Sequence, residues 1–157
     1  MGGGPSGRLE SINVSRGGVP KTSAPEAMIT AEGVEGDRQR DRRYHGGLDR
    51  AVVLFSAERI AALQAEGHPI AAGTTGENLT VSGLDWDRVT PGSRLKVGEV
   101  TLEITKYTTP CVIVTASLLG GDLARIAQKT NPGWSRVCAR VLTAGRVRVG
   151  DPVALAD

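Results

Sequence analysis

The residues best suited to chemistry in this sequence are its two cysteines, Cys111 and Cys138, and their settings differ. Cys111 follows Pro110, which fixes the local backbone, just after a strand-like run gives way to Lys106-Tyr107-Thr108-Thr109. A thiol with an ordinary pKa of about 8.5 is only a few per cent thiolate at neutral pH. Nearby cations or a soft metal would shift it towards the anion that attacks or ligates. Lys106 and the arginines around His45 could supply that charge if the fold brings them together. The alternative for Cys111 is a small, inert, buried side chain. Cys138 lies in the alternating run Arg136-Val137-Cys138-Ala139-Arg140, where no turn or proline presents it, and reads as filler of a wall or core.

The second chemical feature is the stretch from Gly33 to Val52, rich in arginine, in which His45 precedes Gly46-Gly47. Unpaired arginines are costly to bury. Tandem glycine lets the backbone approach another group closely. The stretch therefore reads as a loop presenting a histidine, bare amides and guanidiniums to something anionic. His45 could be a base, a donor to an anion or a metal ligand; it could equally be a loop histidine bonded to Asp37 or Asp49. Arg50, Arg136 and Arg140 each adjoin apolar strand residues and read as inward or ligand-facing, whereas Arg38, Arg40 and Arg42 read as a solvated rim. Asn78, in Gly76-Glu77-Asn78-Leu79, could donate to a ligand or simply form a turn. His68, before Pro69, reads as solvated, and Trp134 as a cap on one end of the fold.

Charge and composition narrow the partner. A net charge of +2 with aromatics at 3% of residues argues against a nucleic-acid backbone, which asks for a basic stripe and stacking platforms. A small anionic ligand fits better. No phosphate-loop, serine-hydrolase or zinc-protease motif is present. Neither cysteines nor histidines fall at the close spacings of a zinc site. No export signal or membrane-length apolar run is recognisable, so the expectation is a cytoplasmic chain with reduced thiols and no membrane partner.

The elements that would position these residues are short. Glycine at 21 positions and proline at 8 punctuate the chain, and most pieces between them alternate like half-buried strands. Arg8 to Val14 places Ile12 and Val14 on one face and Leu9 and Ser11 on the other. Ala27 to Ala31 and the apolar run Ala51 to Phe55 are further strands. Ser56 is an N-cap for a helix carrying Ile60 and Leu63, ended by Gly67 and Pro69. Arg94 to Val97 and Val100 to Thr105 make a hairpin. Leu119, Leu123 and Ile126 recur at helical spacing, weakened by Gly120-Gly121. Arg136 to Leu142 alternates again, and two short strands close the tail. The expectation is a mainly β, single-domain β-barrel of short strands over residues 1–157, with about two peripheral helices and residues 1–7 flexible.

These pieces in this order resemble the MOSC domain, the module named for the C-terminal part of molybdenum cofactor sulfurases and found also as small stand-alone bacterial proteins. The match lies in GVPK at Gly18 to Lys21, GDR at Gly36 to Arg38, HGGLDRAV at His45 to Val52 and GENL at Gly76 to Leu79. It continues through LEIT at Leu102 to Thr105, PC at Pro110-Cys111 and ARVLTAGRVRVGD at Ala139 to Asp151. The resemblance implies a β-barrel that binds the molybdenum cofactor, molybdopterin, with Cys111 carrying sulfur or ligating molybdenum. It implies that polar residues at the barrel mouth hold the anionic pterin: His45, Gly46, Gly47, Arg50, Asn78 and Arg140. Two activities follow. One is an oxidoreductase that reduces N-hydroxylated compounds with electrons from a separate protein; the other is a non-enzymatic carrier that takes persulfide sulfur from a donor, or holds cofactor, for delivery to a partner. The chain departs from the pattern at Tyr107-Thr108-Thr109, where relatives often carry an arginine, and at Cys138, where small relatives are often aromatic. Positive charge beside Cys111 is therefore expected to be weak.

Overall fold

Apolar runs too short for helices become strands in this chain, and the strands close on themselves. The computed structural model describes residues 7–15, 19–37 and 48–156. The strands are β1 (Gly7–Val14), β2 (Thr22–Ala24), β3 (Glu26–Thr30), β4 (Gly33–Val34), β5 (Val52–Ser56), β6 (Leu79–Ser82), β7 (Arg94–Val97), β8 (Val100–Tyr107), β9 (Val137–Thr143), β10 (Gly145–Arg148) and β11 (Pro152–Ala156). A ring of seven, in the order β1-β11-β7-β8-β9-β5-β6 and back to β1, forms the barrel. Strand β2 is added to β1, and β10, β3 and β4 make a separate small sheet. Closure leaves no open edge in the ring, which suits strands this short.

The hydrophobic core includes Leu9, Ile12, Leu54, Phe55, Leu79, Leu95, Leu102 and Ile104, each essentially inaccessible to solvent. Burying a side chain of this size is worth roughly 1.5–3 kcal/mol. The first strand corrects the sequence pattern in one respect. Simple alternation puts Leu9 and Ile12 on opposite faces, yet both are fully buried. The reason is a shift in the β1–β6 register between Leu9 and Ser11, a bulge whose extra residue turns the strand so that both side chains point inward.

Strands β5 and β6 pair in parallel, Leu54 opposite Leu79, and the connection between them contains α1 (Ala57–Ala65). Ser56 caps this helix as expected, its Oγ accepting the Arg59 amide at 3.1 Å. Ile60 and Leu63 turn inward. The second helical segment takes another form: 3-10 turns at Val112–Ser117, Leu119–Gly121 and Leu123–Ile126. Gly120 and Gly121, at φ 61° and 68°, break the α-helical path that the spacing of Leu119, Leu123 and Ile126 implies. Among the described residues, no helix is long and apolar enough to cross a membrane.

Candidate functional site

Strand β8 extends two residues beyond the hairpin expected from sequence, so that Lys106 lies opposite Cys138 and Tyr107 opposite Val137 on β9. The chain then leaves the barrel but stays pinned to the residues before β9. The Thr108 amide donates to the Arg136 carbonyl at 3.1 Å, and Ser135 Oγ donates to the same carbonyl at 2.6 Å. Cys111 follows three residues later on extended backbone (φ −129°, ψ 174°), half-buried, at the position preceding the 3-10 turn Val112–Ser117. Its thiol makes no capping bond to that turn.

The residue that changes the electrostatics here is Arg136, which is only 7% exposed. Its Nη1 donates to the Thr75 carbonyl at 2.5 Å. Among the described residues its Nε has no hydrogen-bond partner, and no carboxylate makes an ion pair with it. Burial pushes the guanidinium pKa down, and the charges of Glu77, Cys138 and Cys111 act in the opposite sense. Both sulfurs thus lie within the electrostatic reach of one buried cation. Burial pushes the Cys138 thiol up, against the pull of Arg136, Arg50 and Lys106. The strand β8 ends without an arginine, and the segment leading into β9 carries Arg136.

A second cluster gathers three of the sequence motifs. Lys21 of GVPK donates from Nζ to Asp37 of GDR at 2.7 Å, and Asn78 of GENL donates from Nδ2 to the same Asp37 oxygen at 2.8 Å. The Ser15 amide donates to the other oxygen at 2.8 Å. Asn78 also accepts the Val53 amide at 2.9 Å, so it locks β5 as well as the loop. Beside it, Glu77 is wholly buried and accepts from the Gly73 amide, Thr75 Oγ and Thr80 Oγ at 3.0, 2.8 and 3.1 Å. Burial pushes its carboxyl pKa up, and these donors pull it back. Gly73 is required at its position, since it sits at φ 84° and a Cβ there would come within 2.6 Å of the Lys21 carbonyl oxygen.

His45, Gly46 and Gly47 lie outside the described residues, as do Arg38, Arg40 and Arg42. The residues flanking that stretch are both held. Asp37 anchors its entry, and its exit is the 3-10 turn Leu48–Arg50, where Thr105 Oγ1 of β8 donates to the Asp49 carbonyl. The same hydroxyl oxygen lies 3.2 Å from the Cys138 carbonyl oxygen, which sets the exit beside the wall carrying Cys138. Arg50 ends this turn and extends its charge to Cys138. Arg140 faces solvent more than the site: its side chain is 49% exposed and pairs with Glu103 at 3.1 Å and Asp49 at 3.8 Å. Asn78 spends its amide on Asp37, the Asn13 carbonyl and Val53. The structure thus brings Cys111 together with Arg136 and places Asn78 in the supporting network and Arg140 on the outside.

Sequence reasoning missed the role of Glu77 and of the Lys21–Asp37 pair. The motif letters were the available signal, but nothing local says that they meet. It also read His68 as solvated. Instead His68 is buried, its Nδ1 accepting the Leu119 amide at 2.9 Å and its Nε2 facing Glu66 at 3.3 Å. The guanidiniums of Arg59 and Arg125 both lie over the Trp134 ring, 4.7 and 4.0 Å from its centre.

A closed barrel of short strands with a cysteine presented where one strand runs out defines a recognisable class of small domain. The MOSC domain profile matches residues 41–154, and the chain belongs to that family. It is 33% identical over 135 residues to the uncharacterized protein YflK of Bacillus subtilis, covering 85% of this chain and 60% of that protein. It is 30% identical over 135 residues to the protein YiiM of Escherichia coli, covering 83% and 59%. The crystal structure of YiiM from Escherichia coli superposes with a TM-score of 0.68 at 25% identity, covering 96% of this chain and 70% of that one. The chain spans about three fifths of the length of the curated relatives it matches.

Proposed function

We propose that this chain binds the molybdenum cofactor with Cys111 as the ligand to the metal, and reduces N-hydroxylated compounds with electrons from a separate protein. The observation that carries this reading is the setting of Cys111, a half-buried thiol without a capping bond, near a buried guanidinium whose Nε–H is unused. The donor set suits the group. A soft thiolate is a good partner for a metal such as molybdenum, and a guanidinium suits the anionic pterin phosphate. Among the described residues no three histidines, cysteines or acids gather as a metal site, so further ligands would come from the pterin itself. When bound, the cofactor supplies the two-electron chemistry that, with two protons, converts an N–OH group into N–H and water.

The chain's own residues hold and enclose. Cys111 fixes the metal end. Arg136 offers charge behind it, and Arg50, with His45, Gly46 and Gly47, is assigned to the anionic end. Asn78 acts at one remove by fixing Asp37 at the entry to that stretch. Arg140 acts on its exit through Asp49. Protein isolated from a cofactor-competent host should contain molybdenum and pterin, and Cys111→Ser should contain neither. Wild-type protein free of both would refute the assignment. If His45→Ala leaves occupancy unchanged, the Gly33 to Val52 stretch is scaffold.

A second reading has its own observation. Val112, next to Cys111, is 76% exposed and gives a partner protein an apolar foothold beside the thiol. Cys111 would then accept sulfur from a persulfide donor and pass it on; its thiolate attacks the outer sulfur, and the donor thiolate leaves. Exposure to a cysteine desulfurase should add one sulfur atom to Cys111 and not to the buried Cys138. Equal labelling of the two would remove this reading.

A further inference from the structure

We propose that His68 is a positioning residue for the segment that follows Cys111, a latch that holds the segment while the ring is neutral and releases it when the ring takes a second proton. The latch stands on its own geometry; its bearing on reactivity rests on the reading of Cys111 as the reactive group.

The ring projects from a fixed support. At the end of α1 the Gly67 amide donates to the Gln64 carbonyl at 2.9 Å and the His68 amide to the Leu63 carbonyl at 3.1 Å, with Gly67 at φ 100°. This pair of bonds is the glycine-dependent stop of an α-helix, and it fixes the backbone that carries the imidazole. A Cβ at Gly67 would come within 3.3 Å of Leu119 Cδ1, so the same glycine also lets the segment approach.

The two partners of the ring decide which nitrogen carries the proton. The Leu119 amide, 2.9 Å from Nδ1, can only donate, so Nδ1 is the acceptor. The Glu66 carboxylate, 3.3 Å from Nε2, accepts. Arg125 holds that carboxyl at a pKa of about 2, and Asp122 acts in turn on Arg125. Glu66 is therefore ionised throughout the range, about pH 5 to 8, in which a histidine ordinarily changes charge. A second proton on the ring has only Nδ1 to occupy, where it would point at the Leu119 N–H. Two donors cannot share that bond, so it breaks while the ring keeps Glu66. The closed arrangement binds one proton fewer than the open one, and falling pH favours opening.

The other side of the latch is lightly held. The turn Leu119–Gly121 buries no side chain. Its neighbours stay attached through Ser117 Oγ on the Thr74 carbonyl at 3.2 Å, through Arg125 on Glu66, and through buried Val114, Leu118 and Ile126. Release is thus a local opening. It is felt at Cys111 because the segment starts there, with the Val114 amide on the Cys111 carbonyl at 3.0 Å.

The test is amide hydrogen exchange at Leu119, corrected for the intrinsic effect of pH, in wild type and His68→Asn. Asparagine sets a carbonyl oxygen close to the place of Nδ1 and does not titrate. From about pH 7.5 to about pH 5.5, protection of Leu119 should fall about tenfold in wild type, as for the loss of one hydrogen bond, and stay level in His68→Asn. Alkylation of Cys111 by iodoacetamide is the second readout. The ratio of wild-type to His68→Asn rates, in which the common fall in thiolate cancels, should rise over the same interval. Long-range proton–nitrogen NMR of the wild-type ring should place its proton on Nε2 at the upper pH, and this measurement needs no variant.

A proton on Nδ1 at the upper pH, unchanged protection of Leu119 in wild type, an equal loss in His68→Asn, or a flat ratio at a reactive Cys111 would overturn the proposal. If Cys111 resists alkylation at both pH values while Leu119 behaves as stated, the latch stands and the reading of Cys111 as the reactive group falls.

Discussion

Two buried polar clusters meet at Thr75 and follow opposite rules. In the first, Asp37 is met by Lys21, Asn78 and Ser15, and Glu77 by Gly73, Thr75 and Thr80. Thr75 gives its hydroxyl to that cluster and its carbonyl to the second, where Arg136 keeps an unpartnered Nε close to two thiols. A network in which the buried acids are met by donors specifies a structure. A buried charge left incomplete is costly unless something outside the chain completes it. The contrast separates residues that build the barrel from a residue suited to serve a ligand, although both are arranged by the same loop from Gly73 to Asn78.

The comparison can be broken most decisively at Asp37. Asp37→Ala strips the acceptor from Lys21, Asn78 and Ser15 together, and denaturant unfolding should show a loss of about 3–5 kcal/mol. A loss below about 1 kcal/mol would mean that the first cluster is not the structural one. Arg136→Met should behave differently: removing an incompletely paired buried charge and keeping its apolar volume should leave unfolding free energy within about 1 kcal/mol of wild type. A large loss would move Arg136 into the structural class.

The smallest expected effect comes from a pair outside both clusters. Arg125 bonds Glu66 through two nitrogens, at 2.9 and 2.7 Å, and holds its pKa at about 2 against an ordinary 4.5. A depressed folded pKa contributes stability that is present above the unfolded value and is lost as pH falls through the folded one. The melting temperature of wild type should therefore fall more than that of Glu66→Gln as pH drops from about 5 to about 2. Parallel curves would show that this exposed pair adds nothing.

Much of the barrel was legible because its strands announce themselves locally. Ser56 as a cap, the apolar run of β5 and the alternation of β8 each need only a few neighbouring residues to be read. The bulge between Leu9 and Ser11 was not, because it exists only against β6, some seventy residues away. The second helical segment takes 3-10 form around Gly120-Gly121, which the spacing of Leu119, Leu123 and Ile126 alone does not reveal. In the site, the Pro110-Cys111 pair pointed to Cys111, and the apolar neighbours of Arg136 hinted that it faces inward. The role of Asn78 was ambiguous for a physical reason: its partner Asp37 is 41 positions away, and a hydrogen bond of that reach leaves no periodic trace. Adjacency to apolar strand residues cannot tell the two faces of a wall apart once a strand runs beyond the core, and β9 becomes exposed from Arg140 onward except for Val141.

Asp37 and Asp49, the residues that bracket the His45 stretch, are tied to the barrel by separate bonds: Asp37 through Lys21 and Asn78, and Asp49 through Thr105. In engineering terms they are two fixed sockets. Whatever is plugged between them inherits the same mounting, so the intervening residues can be exchanged for those of a relative, or lengthened, without asking the barrel to refold. A graft of that stretch from a MOSC relative should therefore leave the barrel folded.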